Sequence, residues 1–77
     1  MTSGRPLFER IVERTGLSSF IGPGTVERAL ASVGASPDVA TRDDYRRALP
    51  QLRQRMALYL RGPDLDEHVR SIEELLG

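Results

Sequence analysis

The residues that could carry acid–base or metal chemistry in this chain are few and poorly grouped. His68 is the only histidine, and Asp64, four residues earlier, would share its face on a helix. A metal site needs three or four converging donors, so this pair predicts a solvated histidine and no bound metal. The acid pairs Asp43-Asp44 and Glu73-Glu74 are also poor candidates, because adjacent helical side chains point about 100° apart and do not converge on one atom.

Nucleophilic catalysis also lacks its usual parts. The chain contains neither cysteine nor lysine, and no serine lies where a strand would turn sharply into a helix. No serine lies in the Asp-Ser-Leu setting to which carrier proteins attach phosphopantetheine. A chain of 77 residues has little volume for a pocket of the usual ~300–1,000 Å³. We therefore expect a protein that is not an enzyme and that uses no cofactor.

A glycine-containing turn indicates a second kind of chemistry, the binding of phosphate. The segment Phe20–Leu30 resembles the hairpin of helix-hairpin-helix DNA-binding motifs. The resemblance implies that backbone N–H groups at a helix N-terminus meet a DNA phosphate. The candidate donors are Gly22, Gly24 and Thr25. Pro23 departs from the motif, which has a hydrophobic residue between its glycines, and only Arg28 follows to hold the DNA backbone. The other interpretation is a tight turn that caps a helix.

Residues 26–44 can also be interpreted as a helix-turn-helix centred on Gly34. Its second helix would carry Asp43 and Asp44 towards DNA phosphates, which repel carboxylates. Nucleic-acid binding is therefore the alternative function, through the Gly22–Arg28 turn or through the arginines that begin the third predicted helix. Those arginines are Arg42, Arg46 and Arg47.

The net charge of the chain is zero, but basic and acidic residues are unevenly distributed along the sequence. Eleven basic and eleven acidic residues give a net charge of zero, so no strong overall attraction to nucleic acid or to an anionic membrane is expected. Every basic residue is arginine, which is typical of a GC-rich bacterial genome. Residues 42–61 carry six basic and two acidic groups, whereas residues 62–77 carry one basic and five acidic groups. A basic segment is thus followed directly by an acidic one.

Glycine and proline divide the chain into helix-sized segments. Apolar residues recur every third or fourth position, and no β-branched residues alternate with polar ones. We predict an all-α fold, a compact bundle of four to five short helices in a single domain over residues 1–77, with residues 1–4 flexible. The predicted helices cover about 6–15, 25–33, 42–49, 50–61 and 64–76. Gly16 suits the end of the first helix, and Asp64 could cap the last.

The third predicted helix has the clearest pattern. Thr41 precedes Asp44 by three residues, a variant of the capping box. The apolar positions that follow are Tyr45, Leu49, Leu52, Met56 and Tyr59. Pro50 interrupts the series, at a cost of ~3 kcal/mol in a helix interior. Because the apolar spacing continues across Pro50, we expect a kinked helix or two nearly collinear ones, with a clean break as the alternative.

The charge asymmetry predicts ion pairs between the last two helices. A short connection makes them antiparallel neighbours, and in that register Arg53 should approach Glu73. Three arginines are predicted to lie beyond the reach of the last helix and to form a basic patch beside Tyr45. They are Arg42, Arg46 and Arg47.

These patterns favour a protein-interaction or regulatory adaptor that acts through its helical surface. The predicted partner-binding residues are Arg42, Tyr45, Arg46, Arg47, Leu58 and Leu60. Core packing is the ordinary expectation for Leu58 and Leu60, as for Phe20 and Ile21, and an exposed apolar site is the alternative. The expected partner is another protein or a second copy of this chain. No apolar stretch is long enough to span a bilayer and no apolar signal region is present, so a cytoplasmic location is predicted.

Overall fold

Four α-helices account for most of residues 4–77, the part of the chain that the computed structural model describes. Their bounds are α1 Arg5–Arg14, α2 Gly22–Ala31, α3 Arg42–Met56 and α4 Pro63–Leu76. No strand occurs among these residues, so the predicted all-α fold is confirmed. The prediction that residues 1–4 are flexible concerns mainly residues 1–3, which lie outside the described residues. Gly4 itself donates its N–H to the Asp38 carbonyl at 2.7 Å.

The helices pack as a ring of antiparallel neighbours. α1 and α3 each pack against both α2 and α4. Nδ1 of His68, in the first half of α4, lies 3.2 Å from the carbonyl oxygen of Arg14, the last residue of α1. At the other end, Arg46 near the start of α3 donates to the carbonyl of Leu76, the last residue of α4. The α1–α2 and α3–α4 connections therefore lie at one end of the bundle, and the α2–α3 connection lies at the opposite end.

One core fills the space between the helices. It consists of the positions that recur every third or fourth residue, as the spacing predicts. The buried hydrophobic residues of the helices are Phe8, Ile11, Val26, Ala29, Leu30, Tyr45, Ala48, Leu52, Met56, Leu65, Val69, Ile72 and Leu76. Most of them are aliphatic, so the core depends on close packing of Leu, Ile and Val side chains.

α3 runs through Pro50 as one helix, which excludes the clean break. The predicted segments 42–49 and 50–61 are thus a single element, and this is why four helices form. Its end was predicted wrongly. α3 stops at Met56, residues 57–59 form a turn, and Tyr59 is 49% exposed although it continues the apolar spacing.

Some helix ends lie at the residues that the sequence predicts, and others do not. Gly16, with φ +71°, ends α1 as predicted, because glycine tolerates the left-handed conformation. The predicted cap at Asp64 is wrong. Gly62 occupies the N-cap position of α4, Pro63 begins the helix, and no side chain caps it. α2 begins at Gly22, three residues before the predicted start, since Pro23 suits a first helical turn.

The capping box of α3 is confirmed. The Asp44 N–H donates to the Thr41 hydroxyl at 3.2 Å, and the Thr41 N–H donates to the Asp44 carboxylate at 2.9 Å. The Thr41 N–H, followed by the guanidinium of Arg47, holds the pKa of Asp44 below its usual range. These bonds give side-chain acceptors to two backbone N–H groups at the exposed start of α3.

Thr41→Ala should lower the free energy of unfolding by about 1 kcal/mol, because alanine offers no acceptor to the Asp44 N–H. Urea unfolding followed by circular dichroism measures this change. Thr41→Ser is the matched control, since serine keeps the hydroxyl and should retain most of the stability. An equal loss in both variants would show that the threonine methyl group, rather than the cap, stabilises this helix end.

Candidate functional site

Arg46 is bound within the protein and is not part of a free basic patch. Its guanidinium donates to the carbonyl oxygens of Leu76 at 2.5 Å and Gly77 at 3.1 Å. These groups belong to the last turn of α4, whose carbonyls lack partners within the helix. The cation also lies at the negative end of the α4 dipole. The prediction that Arg46 lies beyond the reach of the last helix is therefore wrong.

The other two arginines of the predicted patch differ from each other. Arg47 pairs with Asp44 and, at 3.8 Å, with Asp43 on its own helix. Arg42 is exposed and forms no ion pair with any residue from 4 to 77. Of the three arginines, Arg42 alone makes neither a hydrogen bond nor an ion pair with the residues that the structure describes. The dense basic patch that the sequence predicts is not present in this form.

Arg53 forms an ion pair with α4, as the charge asymmetry predicts, but with a different residue. Its guanidinium lies 2.6 Å from the Asp66 carboxylate, so the specific prediction of a pair with Glu73 is wrong. Glu73 is nevertheless on the same side of the domain, where a depression of about 370 Å³ separates α3 from α4. The residues that line it are Arg46, Leu49, Pro50, Arg53, Val69 and Glu73.

Tyr45 cannot contribute to a docking surface in this structure, because its side chain is 1% exposed. The ring packs in the core, and the hydroxyl has no hydrogen-bond partner among the described residues. Burial raises the pKa of Tyr45 to about 12. The sequence placed Tyr45 both in the apolar series and beside the arginines, and the core position is the one observed.

The Gly22–Arg28 turn does not offer the donors that phosphate binding requires. The Gly22 N–H donates to the Ser18 carbonyl at 2.8 Å, and the Thr25 N–H donates to the Ile21 carbonyl at 3.0 Å. Proline has no N–H, so Gly24 supplies the remaining donor of the predicted set. One N–H group does not form a phosphate cradle, and the segment forms the first two turns of α2.

His68 is half-buried and hydrogen-bonded, whereas the sequence predicted a solvated residue. Because a carbonyl can only accept, Nδ1 must carry the proton that is shared with the Arg14 carbonyl. The ring packs on Gly16, where any side chain would collide with it. Within residues 4–77 no three His, Cys, Asp or Glu side chains are grouped so that they could hold a metal ion.

The large exposed apolar side chains lie mainly at one end of the bundle. Phe20 in the α1–α2 connection is 95% exposed, and Leu58 and Tyr59 in the α3–α4 connection are 73% and 49% exposed. We refer to Phe20, Leu58 and Tyr59 as the apolar end. Leu60, the other predicted contact residue of this segment, instead packs partly against the core. Val39, in the α2–α3 connection at the opposite end, is 71% exposed.

Comparison of the chain with models of protein families, with characterised proteins and with solved structures finds no match. None of the helices from α1 to α4 has the length and apolar character needed to cross a bilayer. The geometry of the described surface is therefore the basis for any functional proposal.

Tyr45→Phe should remove an alkaline loss of stability. The pKa of an unfolded tyrosine is near 10, so the unfolded chain ionises before the folded one. The stabilisation is complete below pH ~10 and is lost as the pH rises towards 12. At neutral pH the variant should match the wild type or exceed it by up to about 1 kcal/mol, since the deleted hydroxyl has no partner.

Urea unfolding at about pH 8 and pH 11 tests this expectation. Tyr59→Phe is the control, because it leaves Tyr45 in place and should keep the wild-type alkaline loss. A Tyr45→Phe variant that is clearly less stable at neutral pH would mean that the hydroxyl makes a bond in solution.

Proposed function

We propose that this protein is a protein-interaction module, which docks a partner protein through the apolar end and acts by binding rather than by catalysis. The observation that carries the proposal is the exposure of Phe20, Leu58 and Tyr59 on two connections at the same end of the bundle. Aromatic and large aliphatic side chains are common anchors at the centres of protein interfaces. A contiguous exposed apolar surface is a frequent mark of such an interface.

The two connections hold these side chains in defined turns. The N–H groups of Ile21 and Gly22 both donate to the Ser18 carbonyl, at 3.1 and 2.8 Å. The Leu58 N–H donates to the Arg55 carbonyl at 3.2 Å, and the Tyr59 N–H donates to the Met56 carbonyl at 3.0 Å. A backbone that is already fixed loses little conformational entropy on binding. This favours the apolar end as a preformed binding surface.

The size of the surface fits a modest interface. An aromatic side chain buries about 150–250 Å² when it is covered, so the three residues can bury on the order of 400 Å². Each partner of a standard interface buries about 800 Å². Polar groups around the apolar end must therefore supply the rest of the contact, and the proposed complex belongs among the weaker, transient ones.

The proposal is tested by selecting random peptides from a displayed library on the purified protein. Bound peptides should carry aromatic or aliphatic anchors, and Phe20→Ser combined with Leu58→Ser should weaken their binding at least tenfold, as expected for the loss of anchor residues. Val39→Ser is the matched control. It removes an equally exposed apolar side chain from the opposite end and should leave binding unchanged.

The fold of all three proteins is compared by circular dichroism, and little change is expected because the substituted side chains are exposed. Selected peptides that bind the Phe20/Leu58 variant as well as the wild type would contradict the proposal. A selection that returns no specific peptide would also count against it.

A further inference from the structure

Arg55 has no partner among the residues that the structure describes. It is half-buried in the last turn of α3, and its Nε is buried without a hydrogen-bond acceptor. The guanidinium forms no ion pair or hydrogen bond with any residue from 4 to 77. A charged donor withdrawn from water without an acceptor costs free energy, so this group is poorly satisfied in the isolated domain.

The geometry of α3 places Arg55 beside the apolar end. Arg53 contacts Asp66 on α4, and Arg55 lies about 200° further around the helix, on the side that faces α2. α2 runs antiparallel to α3, so this side of the α3 terminus lies near the start of α2, which Phe20 precedes by two residues. The Leu58 N–H donates to the Arg55 carbonyl at 3.2 Å, so Leu58 lies one turn beyond Arg55.

Two further features add positive charge beside Phe20 and Leu58. α2 begins without a side-chain cap and without an acidic residue in its first turn, so the positive end of its dipole is not compensated. Arg61, in the α3–α4 connection, is exposed and makes no ion pair with the described residues. The acids that border this end are Glu13, Asp64, Asp66 and Glu67. Asp66 pairs with Arg53, and none of the four pairs with Arg55 or Arg61.

We infer that the partner at the apolar end is an acidic amphipathic helix, whose apolar side chains cover Phe20 and Leu58 and whose carboxylates pair with Arg55 and Arg61. This inference rests on the proposed function and specifies its partner. A carboxylate accepts two parallel N–H bonds from one guanidinium, which suits the unused donors of Arg55. Complementary charge also selects partners and speeds their encounter.

A second copy of the chain does not offer such a helix. The acidic helix α4 keeps its own apolar side chains, Leu65, Val69 and Ile72, in the core. An anionic bilayer fits less well, because Arg55 is half-buried at the side of α3, whereas a flat surface of headgroups meets the most exposed cations.

The test uses two synthetic peptides of about 16 residues, long enough for four helical turns. They share leucine and phenylalanine at the same positions and carry either glutamate or arginine on the flanks. The acidic peptide should bind the wild-type protein at least about tenfold more tightly than the basic one at low salt, with a smaller difference at high salt. Fluorescence anisotropy of labelled peptides measures both affinities.

Arg55→Gln combined with Arg61→Gln should abolish this preference, and Arg61→Gln alone should reduce it. Arg42→Gln is the matched control, since it removes an unpaired arginine from the opposite end of α3. Equal binding of both peptides that still requires Phe20 and Leu58 would overturn the inference and leave the proposed function standing. Binding that is insensitive to Phe20→Ser and Leu58→Ser would overturn both.

The remaining outcomes identify other occupants or none. Concentration-dependent dimerisation that Phe20→Ser abolishes would show that a second copy covers the apolar end, and it would overturn the inference. Phe20-dependent sedimentation with phosphatidylserine vesicles would do the same in favour of a membrane surface. Failure of both peptides to bind also overturns the acidic helix as partner, while the library selection decides separately whether the apolar end binds any peptide.

Discussion

The structure depends on the burial of one side of α3. This helix packs against both α2 and α4, and its buried residues lie on both sides of Pro50: Tyr45 and Ala48 before it, Leu52 and Met56 after it. A proline in a helix interior costs ~3 kcal/mol. Burying a single Leu or Met side chain contributes ~1.5–3 kcal/mol, so the two halves of the buried stripe together exceed that cost. Pro50 itself is exposed, and its ring takes no space from the core. The continuity of α3 then determines which side chains face α4 and which face α2.

The helices and the core could be predicted because apolar residues recur at every third or fourth position. The errors arise where this spacing is not sufficient. Tyr59 continues the series of α3 as regularly as Met56 does, yet it is exposed. The reason lies in a neighbouring element: α2 has ten residues, while α3, which packs against it, has fifteen. A further turn of α3 would extend past α2 and would find little to pack against on that side. Helix length is a property of the assembled bundle, and no pattern within residues 42–61 encodes it.

The candidate site was harder to predict because it depends on register and on backbone groups. A count of charges identifies Arg46 as surface, but it does not show that the unpaired carbonyls at the end of α4 will accept its N–H groups. The same count cannot distinguish Asp66 from Glu73 as the partner of Arg53, because both lie on one flank and the starting point of α4 decides between them. Leu58 was among the predicted contact residues, whereas the exposure of Phe20 was expected only as the less ordinary alternative. Whether an apolar residue in a connection is covered depends on the path of that connection, which the sequence does not specify.

Half of the aromatic residues of this chain are exposed at the apolar end. The chain has two Phe and two Tyr, and one of each is buried while the other of each is exposed at the same end. In a domain of 77 residues, two uncovered aromatic rings are a large part of the apolar area that could have stabilised the fold. The guanidinium of Arg55, which has no partner among the described residues, lies at the same end of the bundle, and a buried donor without an acceptor costs free energy. On the proposed function these features have one explanation. A partner that supplies an apolar face and a carboxylate covers the exposed rings and pairs with the guanidinium. Groups that do not stabilise the isolated domain then stabilise the complex.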